Sequence, residues 1–138
     1  MAWVAWLILL LACGCRGGDS RSQQARALLE RIAAMDLRAP LDQRARQIER
    51  LSGLPLADEQ LVKVRDACSA AHAGLLAAEH EQQDVRSKLD QVGDAGLSQT
   101  ELSALGSALA RAGARLRTAH AALPDCEDKT RELLARYR

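Results

Sequence analysis

Beyond its first dozen residues this chain has almost no aromatic side chains. It contains no Phe, and Trp3 and Trp6 both lie in the opening apolar stretch, so Tyr137 is the only ring after residue 12. Ala and Leu dominate what is left to line a cavity, and a deep cofactor pocket is hard to build from those alone. Nucleic acid is not an expected partner either. Bases would have nothing to stack on, and 19 basic residues face 18 acidic ones with no basic block. No run of β-branched and aromatic residues reads as a strand. Nor is there an H-E-x-x-H, a C-x-x-C, a Gly-rich phosphate loop or a nucleophile elbow; Ser69, Ser87, Ser103 and Ser107 lack an aligned His and acid. The sequence thus predicts an all-α protein with a thin aliphatic core, no catalysis, no cofactor, no metal and no evident small-molecule substrate.

What the chain does have is a ladder. From Leu61 apolar residues recur every three or four positions: Leu61, Val64, Cys68, Ala71, Leu75, Ala78, then Gln82, Val85, Leu89 and Val92. A second run repeats the spacing: Leu102, Leu105, Leu109, Ala112, Leu116, Ala119, Leu123 and Cys126. Such alternation is a coiled-coil seam, since 3.5 residues per turn keep one stripe facing the partner. Folded back on themselves the two runs meet rung for rung, Val92 with Leu102, Leu75 with Ala119 and Cys68 with Cys126, each pair of numbers summing to 194. Large tends to meet small, as facing layers require. The same register continues through Val64/Thr130, Leu61/Leu133 and Ala57/Tyr137. It opposes Cys68 and Cys126, which predicts a disulfide; the alternative is a pair of buried thiols behaving as small hydrophobes.

Turn chemistry agrees with the ladder. Gly93 stands where a helix end favours a left-handed residue. Ser98 with Glu101 forms a capping box, and Leu97 with Leu102 the matching staple. Helices are expected at about 58–92 and 98–123, with Pro124 kinking the return leg and opening a last helix at 125–137. Upstream, Leu28, Ile32 and Met35 form one stripe and Leu41, Ala45 and Ile48 another, giving helices at about 20–37 and 40–52 divided by Pro40. Gly53 and Pro55 close that region. Its apolar stripe needs cover, and Ala67, Gly74, Gly106, Gly113 and Ala122 would let it approach the long hairpin, so a three-helix bundle is expected over 20–138. Pairs at i,i+4 spacing, Asp42/Arg46, Glu127/Arg131 and Glu132/Arg136, lie on its surface.

Residues 1–12 are apolar, too short to span a bilayer, and read as a signal-peptide hydrophobic region. No Lys or Arg precedes the run. Leu10-Leu11-Ala12-Cys13 resembles the lipobox of bacterial lipoproteins. That resemblance implies cleavage before Cys13, lipidation of its thiol and new amino terminus, and a flexible tether over 13–19. Gly14, in place of aspartate after the cysteine, leans towards an outer-membrane anchor facing the periplasm. Cys15 is a second candidate for the lipid, and an ordinary secreted protein, an uncleaved anchor or a cytosolic protein are the alternatives. Leu56-Ala57-Asp58-Glu59-Gln60 is loosely similar to the Leu-Thr-x-x-Gln motif of periplasmic helical-hairpin stress chaperones. Asp58 and Glu59 are equally explained by the dipole at a helix start.

His72 and His120 share a flank of the predicted hairpin, close enough to raise a bridging metal beside Glu79 or Glu127. The plainer reading is two partly exposed histidines at the edge of a seam, with His80 solvated. Gln82, the one polar seam position, could fix register. Together these features predict a small lipid-anchored cell-envelope protein acting as a binding or scaffolding helical bundle. A periplasmic chaperone-like or metal- or stress-sensing hairpin, and an envelope-bridging lysis subunit similar in outline to phage spanins, are the alternatives. A client-holding protein suppresses aggregation of a denatured substrate near stoichiometry; a scaffold does not.

Overall fold

The computed structural model describes residues 17–92 and 96–137. They form four helices, α1 (Gly17–Ala33), α2 (Leu41–Ser52), α3 (Glu59–Val92) and α4 (Gln99–Tyr137), and no strand occurs among them. The long hairpin is α3 and α4, with the N-terminal helices packed on it. The apolar segment 1–12, Cys13, Cys15 and Gly93 lie outside the described residues. α1 already begins at Gly17, so the helix takes in residues 17–19 of the expected tether.

Each leg of the hairpin starts as local chemistry dictates. The Asp58 carboxylate accepts the N–H groups of Gln60 and Leu61, at 3.0 and 3.2 Å, which caps α3. It also receives Arg21 of α1 at 2.9 Å. At α4 the capping box is complete. The Ser98 N–H donates to Glu101 Oε2 at 2.8 Å and the Glu101 N–H donates to Ser98 Oγ at 3.3 Å. Gly96 supplies the left-handed backbone of the turn, with φ +73°.

The seam adopts the expected register. Cys68 and Cys126 are joined by a disulfide, Sγ–Sγ 2.01 Å and Cα–Cα 4.8 Å. A Cβ placed on Gly74 would lie 3.0 Å from the Ala119 Cβ, so glycine there permits the closest approach of the two helices. Towards the turn, Glu81 bridges to Arg111 and Arg115 at 3.1 and 2.9 Å. Leu61, Val64, Cys68, Ala71, Leu75, Ala78 and Val85 of α3 are buried against Leu105, Ala112, Ala119, Cys126 and Leu133 of α4.

The second α4 row differs from expectation. Leu102 and Leu109 stay 50% and 48% exposed and Leu89 stays 47% exposed, while Leu116 and Leu123 are half-buried. Two helices enclose one row of side chains fully; the flanking row needs a further helix, and none of the described helices reaches it near the turn. α1 runs beside α3 in the same direction, the Gln24 side chain accepting the Ala57 N–H at 2.8 Å. α2 returns antiparallel, with Arg44 bonded to Glu79 and the Leu54 carbonyl accepting from Arg65 at 2.9 Å. The base is thus four helices across, with Ala25, Leu28, Leu51, Leu61 and Cys68 at its centre. Beyond Glu79 the hairpin continues for about 20 Å with no other described helix packed on it.

Other departures are local. α4 is one helix through Pro124, not two. The missing Pro N–H and the clash with the preceding turn are tolerated because Cys126 and Leu133 beyond it remain anchored in the seam. Asp42/Arg46 forms at 2.8 Å, but Arg131 pairs with Asp128 rather than Glu127. Gly106 and Gly113 do not receive the N-terminal helices: a Cβ on Gly106 would meet nothing within 4 Å.

Since the other rungs already specify the register, Cys68→Ser should lower stability and leave the pairing unchanged. Closing a loop over a sequence separation of 58 is worth about 4 kcal/mol in the chain-entropy account. Urea denaturation measures the loss. Distances between spin labels on α3 and α4 check the register, and a slipped hairpin would contradict the ladder.

Candidate functional site

The polar centre of the molecule lies where α2 crosses α3. Ser69, His72, Leu76 and Glu79 follow one another at three- and four-residue spacing along one face of α3. Arg44 comes down on this face from α2, and it is 3% exposed. One arm of its guanidinium, Nη1, donates to Glu79 Oε2, whose side chain is 39% exposed. Nη2 is buried with no partner among the described residues, and so are Ser69 Oγ and His72 Nδ1. Such groups cost about 1–3 kcal/mol each when left unpaired.

His72 is 9% exposed, not the partly exposed seam-edge histidine that its spacing suggests, because the N-terminal helices cover its flank. His120 on α4 is exposed. No group of three or more metal-ligating side chains gathers among the described residues. Burial, then the nearby Arg44 charge, lowers the His72 pKa below its ordinary 6.5, so the imidazole is neutral at pH 7. Ser69 and His72 share a face but do not hydrogen-bond to each other, and Glu79 is engaged by Arg44. The cluster therefore contains no serine–histidine–acid relay.

His72 also forms part of the wall of an open groove of about 510 Å³ between α1, the 34–40 connection and α4. Ile32, Met35, Leu37, Leu123 and Leu134 make it apolar, and Cys126 brings the disulfide to its wall. Leu37 and Leu134 are 48% and 39% exposed. Thr130 presents its hydroxyl there but donates to the Cys126 carbonyl at 2.7 Å. Glu127 and Arg131 stand at the rim. An apolar trough edged by a neutral imidazole and opposite charges can hold an amphipathic segment; it offers no activated nucleophile.

Arg44 is the residue that sequence reasoning missed. It lies at i+3 from Leu41 and i−4 from Ile48, on the apolar stripe of α2, where Ala45 was the expected neighbour and is in fact exposed. The signal was a charged residue interrupting an apolar period. Asp58, part of the chaperone-like segment, is accounted for by capping α3 and binding Arg21. No protein-family profile, curated protein or solved structure matches this chain.

Two outcomes follow from the buried charge. Glu79→Ala strands the Arg44 cation and should cost about 1–3 kcal/mol, less than for a fully buried pair because water reaches Glu79. Arg44→Met, which removes the charge and keeps the volume, should be near neutral in the same urea titration. The second outcome concerns pH. Well above pH 6.5 His72 is neutral in both states, so it contributes no slope there. As pH falls through 6.5 the unfolded chain binds a proton before the folded one does, and stability drops until the lowered folded pKa is passed. Between pH 7.5 and 5.5 the wild type should lose more stability than His72→Gln.

Proposed function

We propose that this chain is a small lipid-anchored protein of the bacterial cell envelope that works as a binding or scaffolding helical bundle, without catalysis. The observation that carries the proposal is the Cys68–Cys126 disulfide, its cysteines 0% and 4% exposed at the centre of the four-helix base. Bonds of this kind form and persist outside the reducing cytosol. The lipobox-like Leu10-Leu11-Ala12-Cys13 supplies an anchor for that compartment, and no described helix is long and apolar enough to cross a membrane. The base would then stand on the membrane through a short connection, with the two-helix tip projecting from it. The apolar groove beside His72 supports a second reading, a chaperone-like hairpin that holds an amphipathic segment of a client.

Intact mass spectrometry of membrane-extracted protein, before and after reduction, tests the proposal. The expected result is loss of residues 1–12, an acyl mass on Cys13, and a two-dalton gain on reduction assigned to Cys68 and Cys126. A full-length, reduced, unlipidated chain recovered from the cytosol would overturn it.

A further inference from the structure

The two-helix tip carries an apolar strip on the face that α1 and α2 cover lower down. Leu102 and Leu109 of α4 are half exposed there, as is Leu89 of α3. Beside the leucines α4 presents Ser103, Gly106 and Ala110, all exposed, so the strip has ridges and gaps of its own. Among the described residues, nothing packs against Gly106. A Cβ there would meet nothing, while a glycine in a helix interior costs about 0.8–1 kcal/mol relative to Ala. Beside Leu89, Arg86 and Asp90 are exposed and form no ion pair among the described residues.

We infer that this strip is the docking surface for a second copy of the same chain, packed antiparallel about a two-fold axis at the level of Gly106. Two independent features place the axis there. Pairing Arg86 of one chain with Asp90 of the other, and the reverse, centres α3 on position 88. In the seam register whose pairs sum to 194, position 88 stands opposite Gly106. Rotation about that axis also makes α4 self-complementary. Leu102 faces Ala110 of the other copy, Leu109 faces Ser103, and Gly106 meets its own mate, so each large residue finds a small one. The two tips complete a four-helix section that neither has alone. A patch about 20 Å long and two helices wide buries about 400 Å² per copy, roughly half of a standard interface. The dimer is therefore weak and reversible, and because it is antiparallel its two bases point away from each other. It does not rest on the lipid anchor: two copies standing upright on one membrane present parallel tips and do not form it.

Sedimentation equilibrium of the full chain in a non-ionic detergent, from about 10 μM to 1 mM, tests it. The expected result is a reversible monomer–dimer equilibrium. Leu109→Glu should raise the dissociation constant at least about tenfold by placing a charge in the strip. Arg86→Asp and Asp90→Arg alone should each raise it about fivefold, since each replaces two attractions with two repulsions. An equimolar mixture of those two variants should form mixed dimers close to wild-type affinity, because both opposed pairs are then oppositely charged. Gly106→Ala should raise the melting temperature of the monomer and weaken the dimer. A chain that stays monomeric throughout overturns the inference. So does a dimer indifferent to Leu109→Glu, or one whose charge variants fail to rescue each other when mixed.

Discussion

The α3–α4 seam has to hold one register along about 50 Å, because every other contact in the molecule is measured from it. A slip of one heptad would move about 10 Å along the axis. Asp58 would leave Arg21, Glu81 would leave Arg111 and Arg115, and the cysteines would part. The seam resists slipping through size rather than bulk. Its core sets small residues among larger ones, with Gly74 seated on Ala119, and a leucine shifted onto a position shaped for alanine must either clash or open a void. The disulfide acts on an arrangement already specified. It mainly restricts the unfolded chain, which matters in a domain with no aromatic core to draw on.

That seam is longer than the described helices that cover it. α2 has 12 residues and α1 has 17, against 34 and 39 in the hairpin legs, and both short helices lie at the base. The difference divides one fold into two regimes. At the base, side chains on the outer faces of the seam are enclosed, the polar Arg44, Ser69 and His72 among them. At the tip the same heptad positions hold leucines half in solvent. Exposed leucine on a helix is ordinary when scattered; three of them on one face of a projecting hairpin, with small residues beside them, form a surface with a shape.

Much of this was legible before any coordinates. The ladder rests on residue types at fixed spacing, and spacing survives any tertiary detail, so the hairpin, its register and the Cys68–Cys126 pairing could be read from it. The Ser98–Glu101 cap was legible for the same reason, being local. Three features were not. The exposure of Leu102 and Leu109 depends on how far a third helix extends, and periodicity reports only that an apolar face exists. The continuity of α4 through Pro124 depends on anchors to either side outweighing a local penalty. Arg44 broke the apolar stripe of α2, and a broken stripe reads as solvent until Glu79 is found across from it.

Arg44 also fixes where α2 docks. A helix of 12 residues has few apolar side chains, and these alone would let it rest on α3 at several heights with similar burial. A buried guanidinium removes that freedom, since only one height brings Nη1 onto Glu79 and any other strands the cation in a dry interface. The pair gives little net stability, because desolvation offsets much of the attraction. It separates the correct docking from its neighbours by several times what an apolar contact would. Glu79 lies at the border between the four-helix base and the two-helix tip, so the same ion pair fixes where the cover ends. How much of the leucine strip is left bare is set there, by one charge on a helix of 12 residues.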